Sequence, residues 1–385
     1  MDFAFTPEQE ALRERVRELC AGYPDHYWRE LDRERTYPEA FVRELTASGL
    51  LAALIPVAYG GLGLGITEAA LILGEINRSG GSSAACHAQM YIMGALNRHG
   101  SDAQKARWLP AIARGELRLQ AFSVTEPEAG SETTAIRTTA TATSDGYIVN
   151  GFKNWTSRIE HSDLMLLLAR TGEAADRGRG LSLFLVDLRE ARRQEALDIH
   201  RVRTMFNYET FQVAYRDLRL PAESLIGQEG QGFRYVIDGW NAERILLAAE
   251  AIGDGYWFIA RAARYASERI VFGRPIGANQ GVQFPLARAY AQLAAAELVQ
   301  WKAAWRFDSG AACGEEANMA KLLASEASWA AANACLDTHG GYGFVDEYDV
   351  ERKFRETRLF QVAPVNNNLI LAYLGHHVLG MPKSY

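Results

Sequence analysis

Glu243 is the residue of this chain whose surroundings most favour acid–base chemistry. It stands beside Arg244 in a helical segment, and the residues that follow, 245–249, are all apolar. Most glutamates on helices are solvated, because a lone carboxylate is seldom buried. A carboxylate held among apolar side chains, however, has its pKa raised toward the working pH of a general base. The sequence therefore predicts Glu243 as a candidate base.

Four further segments carry hydroxyl, aromatic, basic or glycine residues that could contact a cofactor. Residues 122–132 indicate a strand that ends in a Pro/Gly turn, which alone favours a structural connection. Residues 153–157 contain Trp155, and a single tryptophan on a strand is more often part of a core. The basic segment 269–280 has the composition of many helix ends. In residues 337–344, adjacent glycines would let the backbone approach a cofactor closely.

The overall composition predicts a soluble globular protein. The chain has 385 residues, of which 48% are hydrophobic and 23% charged, so we expect two or three domains and little disorder. A net charge of −6 argues against broad nucleic-acid binding. The four cysteines are widely spaced without a CxxC pair, which favours reduced thiols over disulfides or a metal site. We expect no membrane span and, since no secretory signal pattern begins the chain, a cytoplasmic location.

Changes in hydrophobic periodicity divide the chain into three predicted domains. Residues 1–120 have helical spacing and predict an N-terminal all-α domain. Residues 121–232 alternate with a period of two and predict a middle β-barrel-like domain. Residues 233–385 return to helix-forming residues and predict a C-terminal four-helix bundle. The expected fold class is therefore α+β, mainly α, with a helical bundle interrupted by a sheet.

Local signals within these domains predict individual elements. Thr6 and Ser101 each begin a capped helix, and Pro110 should end the second one. Strands at 139–143 and 147–149 flank a turn at Asp145-Gly146 and predict a hairpin. The remaining expected strands are 164–169, 181–186 and 211–215, and the expected C-terminal helices are 234–266, 283–308, 315–339 and 346–374.

The four cofactor-type segments, taken together, resemble those of the acyl-CoA dehydrogenase family, and the resemblance extends along nearly the whole chain. Residues 122–132 match a family signature almost residue for residue. Residues 153–157 match a second one, with Ser157 where the family usually has threonine. The resemblance implies FAD as the cofactor and the helical, β, helical fold of that family. It also implies an acyl-CoA substrate.

The resemblance assigns roles to particular residues around the flavin. Thr125 would face the pyrimidine end of the ring, where reduction places negative charge. Trp155 would lie against the ring, and the Ser157 hydroxyl would take the position of the family threonine at flavin N5. Asp337 replaces a usual glutamine and would be unfavourable near a pyrophosphate. The implied cofactor residues are Phe122, Val124, Thr125, Gly130, Ser131, Trp155, Thr156, Ser157, Arg269, Phe272, Gln280, Asp337, Gly340, Gly341, Asn366 and Asn368.

The resemblance also implies partners. The segment that contains Arg269 would reach a neighbouring subunit's FAD near its pyrophosphate, a task that suits the forked donors of a guanidinium. FAD held between subunits implies a dimer at least and, by family habit, a homotetramer built as a dimer of dimers. The implied electron acceptor is an electron-transferring flavoprotein. Ser131 and Arg244 would contact the substrate, an acyl-CoA or acyl-carrier thioester.

The implied reaction is α,β-dehydrogenation, and its base is not where most family members carry it. They supply a glutamate nine residues after an arginine of the last helical region, but counting from Arg355 leads to Pro364. The neutral asparagines that follow Pro364 cannot replace a carboxylate. Isovaleryl-CoA and long-chain members instead carry the base on the helix that contains Glu243. The resemblance thus assigns α-proton abstraction to Glu243, with hydride passing to flavin N5.

Pro364 leaves several alternatives open. The family uses a backbone N–H at this position to polarise the thioester carbonyl, and proline has none. Either a neighbouring amide such as that of Val365 takes over, or the carbonyl is held differently. A flavin-dependent monooxygenase on the same fold is a second hypothesis. A non-catalytic flavin-binding protein is a third, although the acidic net charge argues against its DNA-associated form.

Overall fold

The computed structural model of the protein describes residues 4–173 and 178–383. Helices come first along the chain, a β-sheet follows, and long helices return, which confirms the α+β, mainly α fold class. Among the described helices, none is both long and apolar enough to cross a bilayer. All four cysteines are buried and none forms a disulfide. The described residues contain no group of three or more His, Cys, Asp or Glu side chains that could hold a metal ion.

The N-terminal helices begin as the capping residues predict. Thr6 and Gln9 cap α1 reciprocally, and Ser101 and Gln104 cap α6 in the same way. Pro110, however, lies inside α6 and does not end it. A proline in the last turn removes only one helical hydrogen bond, so the helix can run on for a few residues. The six helices are α1 (Pro7–Ala21), α2 (Asp25–Glu34), α3 (Glu39–Ala47), α4 (Ile66–Arg78), α5 (His87–His99) and α6 (Asp102–Ala113).

The middle of the chain folds into one eight-stranded sheet. Its strands run in the order β6-β7-β3-β2-β4-β5-β8, and β1 pairs in parallel with β4. The predicted hairpin is confirmed as the antiparallel pair β2–β3. A short helix, α7 (Leu188–Arg193), follows β5. The strands are β1 (Leu119–Ser123), β2 (Thr139–Ala142), β3 (Gly146–Lys153), β4 (Leu164–Arg170), β5 (Leu181–Asp187), β6 (Leu197–Val202), β7 (Thr210–Pro221) and β8 (Leu225–Ile226).

Three long helices dominate the C-terminal part, and the fourth predicted helix is divided. The prediction of one helix over 346–374 was wrong, because this stretch contains two short helices separated by a loop around Pro364. Asn366 caps the second of these helices by accepting a hydrogen bond from the Leu369 amide. The elements are α8 (Gly232–Glu268), β9 (Ile270–Val271), β10 (Arg274–Pro275), α9 (Gln280–Asp308), α10 (Gly314–His339), α11 (Val350–Thr357) and α12 (Asn367–Tyr373).

Helix α8 is the central element that positions the candidate site. It has 37 residues and packs against α4, α5, α9 and α10. The buried carboxylate of Asp254, on this helix, lies 2.5 Å from the Lys353 ammonium of α11. Asp308, at the end of α9, accepts hydrogen bonds from the Ile66 and Thr67 amides that begin α4. These contacts fix the positions of α11 and α4 relative to α8 and α9.

Candidate active site

Glu243 is buried within α8 in the surroundings that the sequence predicts. Only 6% of its surface is exposed, and its Oε2 atom has no hydrogen-bond partner among the residues that the structure describes. Burial raises the pKa of the Glu243 carboxyl to about 8, although the Tyr91 hydroxyl and the positive charges of Arg244 and Arg158 oppose the shift. A carboxyl that titrates near neutral pH and keeps an unused oxygen is suited to proton abstraction.

Arg244 lies beside Glu243 and is also buried. Its Nη1 donates to Asn241 Oδ1 over 2.8 Å, and its Nε has no partner among the described residues. Burial lowers the pKa of Arg244, and the charge of Glu243 opposes this. The two side chains thus leave a guanidinium N–H and a carboxyl oxygen unused within electrostatic range of each other.

Lys321 belongs to the same buried region, and sequence analysis missed it. Its Nζ donates to the Val365 carbonyl over 2.6 Å and to Asn367 Oδ1 over 3.0 Å. Burial, assisted by repulsion from Arg244, lowers the pKa of Lys321 to about 7. The available signal was a single lysine within the Ala- and Leu-rich run 319–324 of α10, since a lone charge in an apolar stretch is seldom accidental.

The loop before α12 reaches the turn after β1. Asn366 Nδ2 donates to Ser131 Oγ over 3.0 Å, so two residues implied for cofactor and substrate meet here. Asn368, by contrast, is exposed on the first turn of α12. Pro364 lies half-buried in the loop, next to the Val365 carbonyl that Lys321 holds.

The ends of β1 and β3 bring a second group of predicted residues together. The Asn154 amide donates to the Thr125 carbonyl over 2.8 Å. The buried Lys153 ammonium donates to the Val124 carbonyl over 2.7 Å and lies 3.0 Å from the Glu126 carboxylate. The structure thereby joins the two segments that the sequence matches to flavin signatures.

The side chains at this junction form what we call the β1–β3 face, made of Thr125, Trp155 and Ser157. Trp155 adopts a left-handed backbone with φ of 61° and leaves 54% of its surface exposed. Ser157 is buried and its hydroxyl donates to Thr210 Oγ1 over 3.0 Å. Thr156 is buried behind the face with its hydroxyl 3.0 Å from that of Ser123, Phe122 is half-buried and Val124 is buried.

This face fits a flat aromatic cofactor. An exposed indole is costly in water and gains from stacking on a ring. On the adjoining turn, a Cβ at Gly130 would meet no atom within 4 Å, so the backbone there is open to a close approach. The Asn154 Oδ1 atom is buried without a partner and could accept a hydrogen bond from a bound group.

A third group of predicted residues lies at the far end of α8. The helix rises roughly 33 Å between Glu243 and Tyr265, and the Tyr265 ring stacks on His339 at 4.2 Å. Gly340 and Gly341 follow His339 and have open space where a Cβ would lie. Within one chain these positions are therefore remote from Glu243. The exposed predicted residues at this end are Arg269, Phe272, Gln280, Asp337, Gly340 and Gly341.

Sequence analysis also missed a polar group next to Glu243. His87 Nδ1 lies 2.9 Å from a carboxylate oxygen of Glu250, and both residues are buried. The Tyr91 ring lies 5.5 Å from that of His87. Arg158, which directly follows Ser157, is only 5% exposed. The sequence offered few signals, because these residues come together only when α5, α8 and the loop after β3 pack.

The helical, sheet, helical order, the β1–β3 face and a buried carboxylate on the central helix define the class of flavin-dependent dehydrogenases with this three-part fold. Three family profiles match the chain: acyl-CoA dehydrogenase N-terminal domain over residues 6–116, middle domain over 121–215 and C-terminal domain over 230–369. The chain belongs to the acyl-CoA dehydrogenase family, whose members are FAD-dependent oxidoreductases.

Individual relatives cover the chain almost completely. Acyl-CoA dehydrogenase fadE12 of Mycobacterium bovis is 34% identical, over 100% of this chain and 99% of that protein. Cyclohex-1-ene-1-carbonyl-CoA dehydrogenase of Syntrophus aciditrophicus is 32% identical, over 97% of this chain and 90% of that protein. The butyryl-CoA dehydrogenase structure from Megasphaera elsdenii superposes with a TM-score of 0.92 at 25% identity, covering 98% of this chain and 100% of that one.

Proposed function

We propose that this protein dehydrogenates an acyl thioester at its α,β bond and that Glu243 is the base that removes the α-proton. The observation that carries the proposal is the buried Glu243 carboxyl on α8, with a pKa raised to about 8 and Oε2 unpartnered. Near neutral pH such a group can accept a proton from carbon and release it again. No carboxylate is available at the alternative position, where Pro364 stands in a loop of neutral residues.

The substrate would lie between Glu243 and the β1–β3 face. Ser131, joined to Asn366, would contact the thioester at the mouth of the site, and the free Nε of Arg244 would orient it or the carboxyl of Glu243. Lys321 holds the Val365 carbonyl and so restrains Val365 from the side of its peptide bond to Asn366. The Val365 N–H could then replace the donor that proline lacks at position 364.

Thr125, Trp155 and Ser157 would hold the flavin ring. When bound there, FAD supplies the acceptor for the hydride that leaves the β-carbon. Trp155 would cover one side of the ring and exclude water, and the Ser157 hydroxyl would lie at N5. The exposed residues Arg269, Phe272 and Gln280 would reach the FAD of a neighbouring subunit in a homotetramer, together with the 337–341 segment. An electron-transferring flavoprotein would then reoxidise the enzyme.

The test is anaerobic mixing of the FAD-loaded protein with a panel of straight and branched acyl-CoA thioesters. A substrate should bleach the visible flavin band of the wild-type protein. Glu243→Gln keeps the volume of the side chain but removes the base, so it should abolish bleaching while FAD stays bound. Glu268→Gln, at an exposed position of the same helix, should react like the wild type.

Two outcomes would count against the proposal. Undiminished bleaching by Glu243→Gln would assign the base elsewhere. If no thioester reduces the flavin but a reductase drives oxygen uptake with an oxygenated product, the fold performs the monooxygenase reaction instead. Loss of FAD from Glu243→Gln would be detected by its absorbance, so a binding defect cannot be mistaken for a chemical one.

A further inference from the structure

Four polar residues lie around the proposed base, Glu243, and have no part in the reaction described above. Together with Glu243 they form a cluster of five. We call it the α5–α8 cluster; its members are His87, Tyr91, Arg158, Glu243 and Glu250. His87 and Tyr91 lie one turn apart on α5, and Glu243 and Glu250 lie two turns apart on α8, so each pair shares a helix face. These two helices pack together, and Arg158 enters from the loop after β3.

Arg158 is the cation of the cluster, and its contacts are incomplete. Its Nη1 donates to the Ala84 carbonyl over 2.5 Å, and its guanidinium carbon lies 5.3 Å from the centre of the Tyr208 ring. Its Nε, however, is buried without any hydrogen-bond partner. Although only 5% of Arg158 is exposed, no Asp or Glu in residues 4–173 and 178–383 forms an ion pair with it. A buried cation without an anion is costly.

The carboxylates of the cluster do not neutralise Arg158. Glu250 is already bonded to His87, with both carboxylate oxygens within 3.0 Å of Nδ1. Glu243 is protonated below a pKa of about 8 because burial disfavours its charge. Arg158 thus keeps its positive charge within electrostatic range of Glu243 and leaves one N–H unused, an arrangement in which a ligand could supply the missing anion.

We propose that Arg158 binds a carboxylate at the far end of the acyl group, so that monothioesters of dicarboxylic acids are the preferred substrate class. The proposal rests on the proposed function, since it takes the space beside Glu243 as the acyl site. A carboxylate there would receive the free Nε–H of Arg158 and complete a charge-assisted hydrogen bond. Tyr91, next to both Arg158 and Glu243, would separate this carboxylate from the reacting carbons.

The test compares two thioesters of equal chain length, glutaryl-CoA and pentanoyl-CoA. Their dissociation constants are measured by calorimetry with FAD-loaded Glu243→Gln protein, in which binding is seen without turnover. Glutaryl-CoA should bind at least tenfold more tightly than pentanoyl-CoA. Adding Arg158→Gln should remove this preference and leave pentanoyl-CoA binding almost unchanged. Arg158→Lys should restore part of the preference, and Arg219→Gln, at an exposed position of β7, should leave it intact.

Equal binding of the two thioesters by the parent protein would overturn the proposal. So would an equal loss of both in Arg158→Gln, because that result would indicate a structural role. The melting temperature of each variant is measured alongside, and removing an unpaired buried charge should not lower it. If Arg158→Gln nevertheless fails to fold, the proposal is tested by the preference of the parent protein and of Arg158→Lys for glutaryl-CoA. Failure of the base assignment is separate: glutaryl-CoA could bind through Arg158 although no thioester reduces the wild-type flavin.

Discussion

Asn366 donates a hydrogen bond to the hydroxyl of Ser131 over 3.0 Å, although the two residues are 235 positions apart in the chain. The same asparagine caps α12 by accepting a hydrogen bond from the Leu369 amide over 2.9 Å. Its nitrogen therefore connects the loop to the turn after β1, and its oxygen begins a helix. This one side chain thus contributes to two elements that are far apart in the sequence.

The two functions of Asn366 can be separated. Asn366→Ser keeps an oxygen for the α12 cap but is too short to reach Ser131, whereas Asn366→Ala loses both contacts. We expect both variants to raise KM for the thioester, and only Asn366→Ala to lower the free energy of unfolding, by about 1 kcal/mol, the usual cost of removing an N-cap. Steady-state kinetics and urea denaturation measure the two effects. A wild-type KM in Asn366→Ser would show that the link to Ser131 does not position the substrate.

The raised pKa of Glu243 predicts how activity depends on pH. Only the ionised carboxylate accepts the α-proton, so kcat/KM for flavin reduction should rise about tenfold per pH unit and level off above a pKa of about 8. Stopped-flow measurements between about pH 6 and pH 9, a range that brackets the expected pKa of Glu243, record the profile. A flat profile would mean that another group abstracts the proton.

The same group should affect stability with the opposite trend. The folded-state pKa of Glu243 lies above its ordinary value of 4.5, so the folded protein holds this proton more tightly than the unfolded chain. The contribution is complete at low pH and is lost as the pH rises to about 8. Relative to the wild type, Glu243→Gln should therefore gain stability as the pH increases across this interval. Urea denaturation of both proteins at matched pH values tests the sign.

Lys321 should act as a positioning residue. Lys321→Met removes the hydrogen bonds that hold the Val365 carbonyl and Asn367, so the loop after Pro364 loses its anchor and kcat should fall at least tenfold. Because the pKa of Lys321 is itself lowered to about 7, this side chain is largely neutral where Glu243 titrates, so the pH profile should still level off above a pKa of about 8. Lys302→Met, which alters an exposed ion pair with Glu316, is the matched control. An unchanged kcat in Lys321→Met would show that this anchor does not position the reacting groups.

Asp308 should stabilise the N-terminal helical region from a distance. Its carboxylate receives the Ile66 and Thr67 amides at 2.7 and 3.0 Å, while the residue before α4 is Gly65, which has no side chain to cap the helix. Asp308→Ala should lower the free energy of unfolding by about 1–2 kcal/mol. Asp102→Ala, whose carboxylate is fully exposed, serves as the comparison in chemical denaturation. Equal effects would argue against a cap supplied by α9.

Sequence patterns predicted the elements whose signals are local. Reciprocal caps at Thr6 and Ser101 set where α1 and α6 begin, and period-two alternation gave the β2–β3 hairpin. The loop around Pro364 was missed, because helix-forming residues on both sides outweighed one proline and the capping side chain of Asn366. Local patterns predict which secondary structure a segment prefers, but they do not show which tertiary contacts fix its ends.

The candidate site was predictable only in part for the same reason. Glu243 could be found because the resemblance points to its helix and its apolar neighbours follow it directly in the chain. Lys321 offered only its position in an apolar run, and Arg158 offered no signal, since its surroundings form by packing of segments that are far apart in sequence. The free Nε of Arg158 is a property of the folded chain alone, because the sequence does not show which acidic residues come near it.

The division of the 346–374 stretch has a consequence for how substrate range could be altered. The proposed base stands on α8, which four other helices hold in place, whereas the loop around Pro364 is tied down through the side chains of Lys321 and Asn366. Residues such as Val362, which is exposed, could be randomised in a library without displacing Glu243. Catalysis would then depend on the rigid helix α8, while substrate selectivity could be changed in the loop around Pro364.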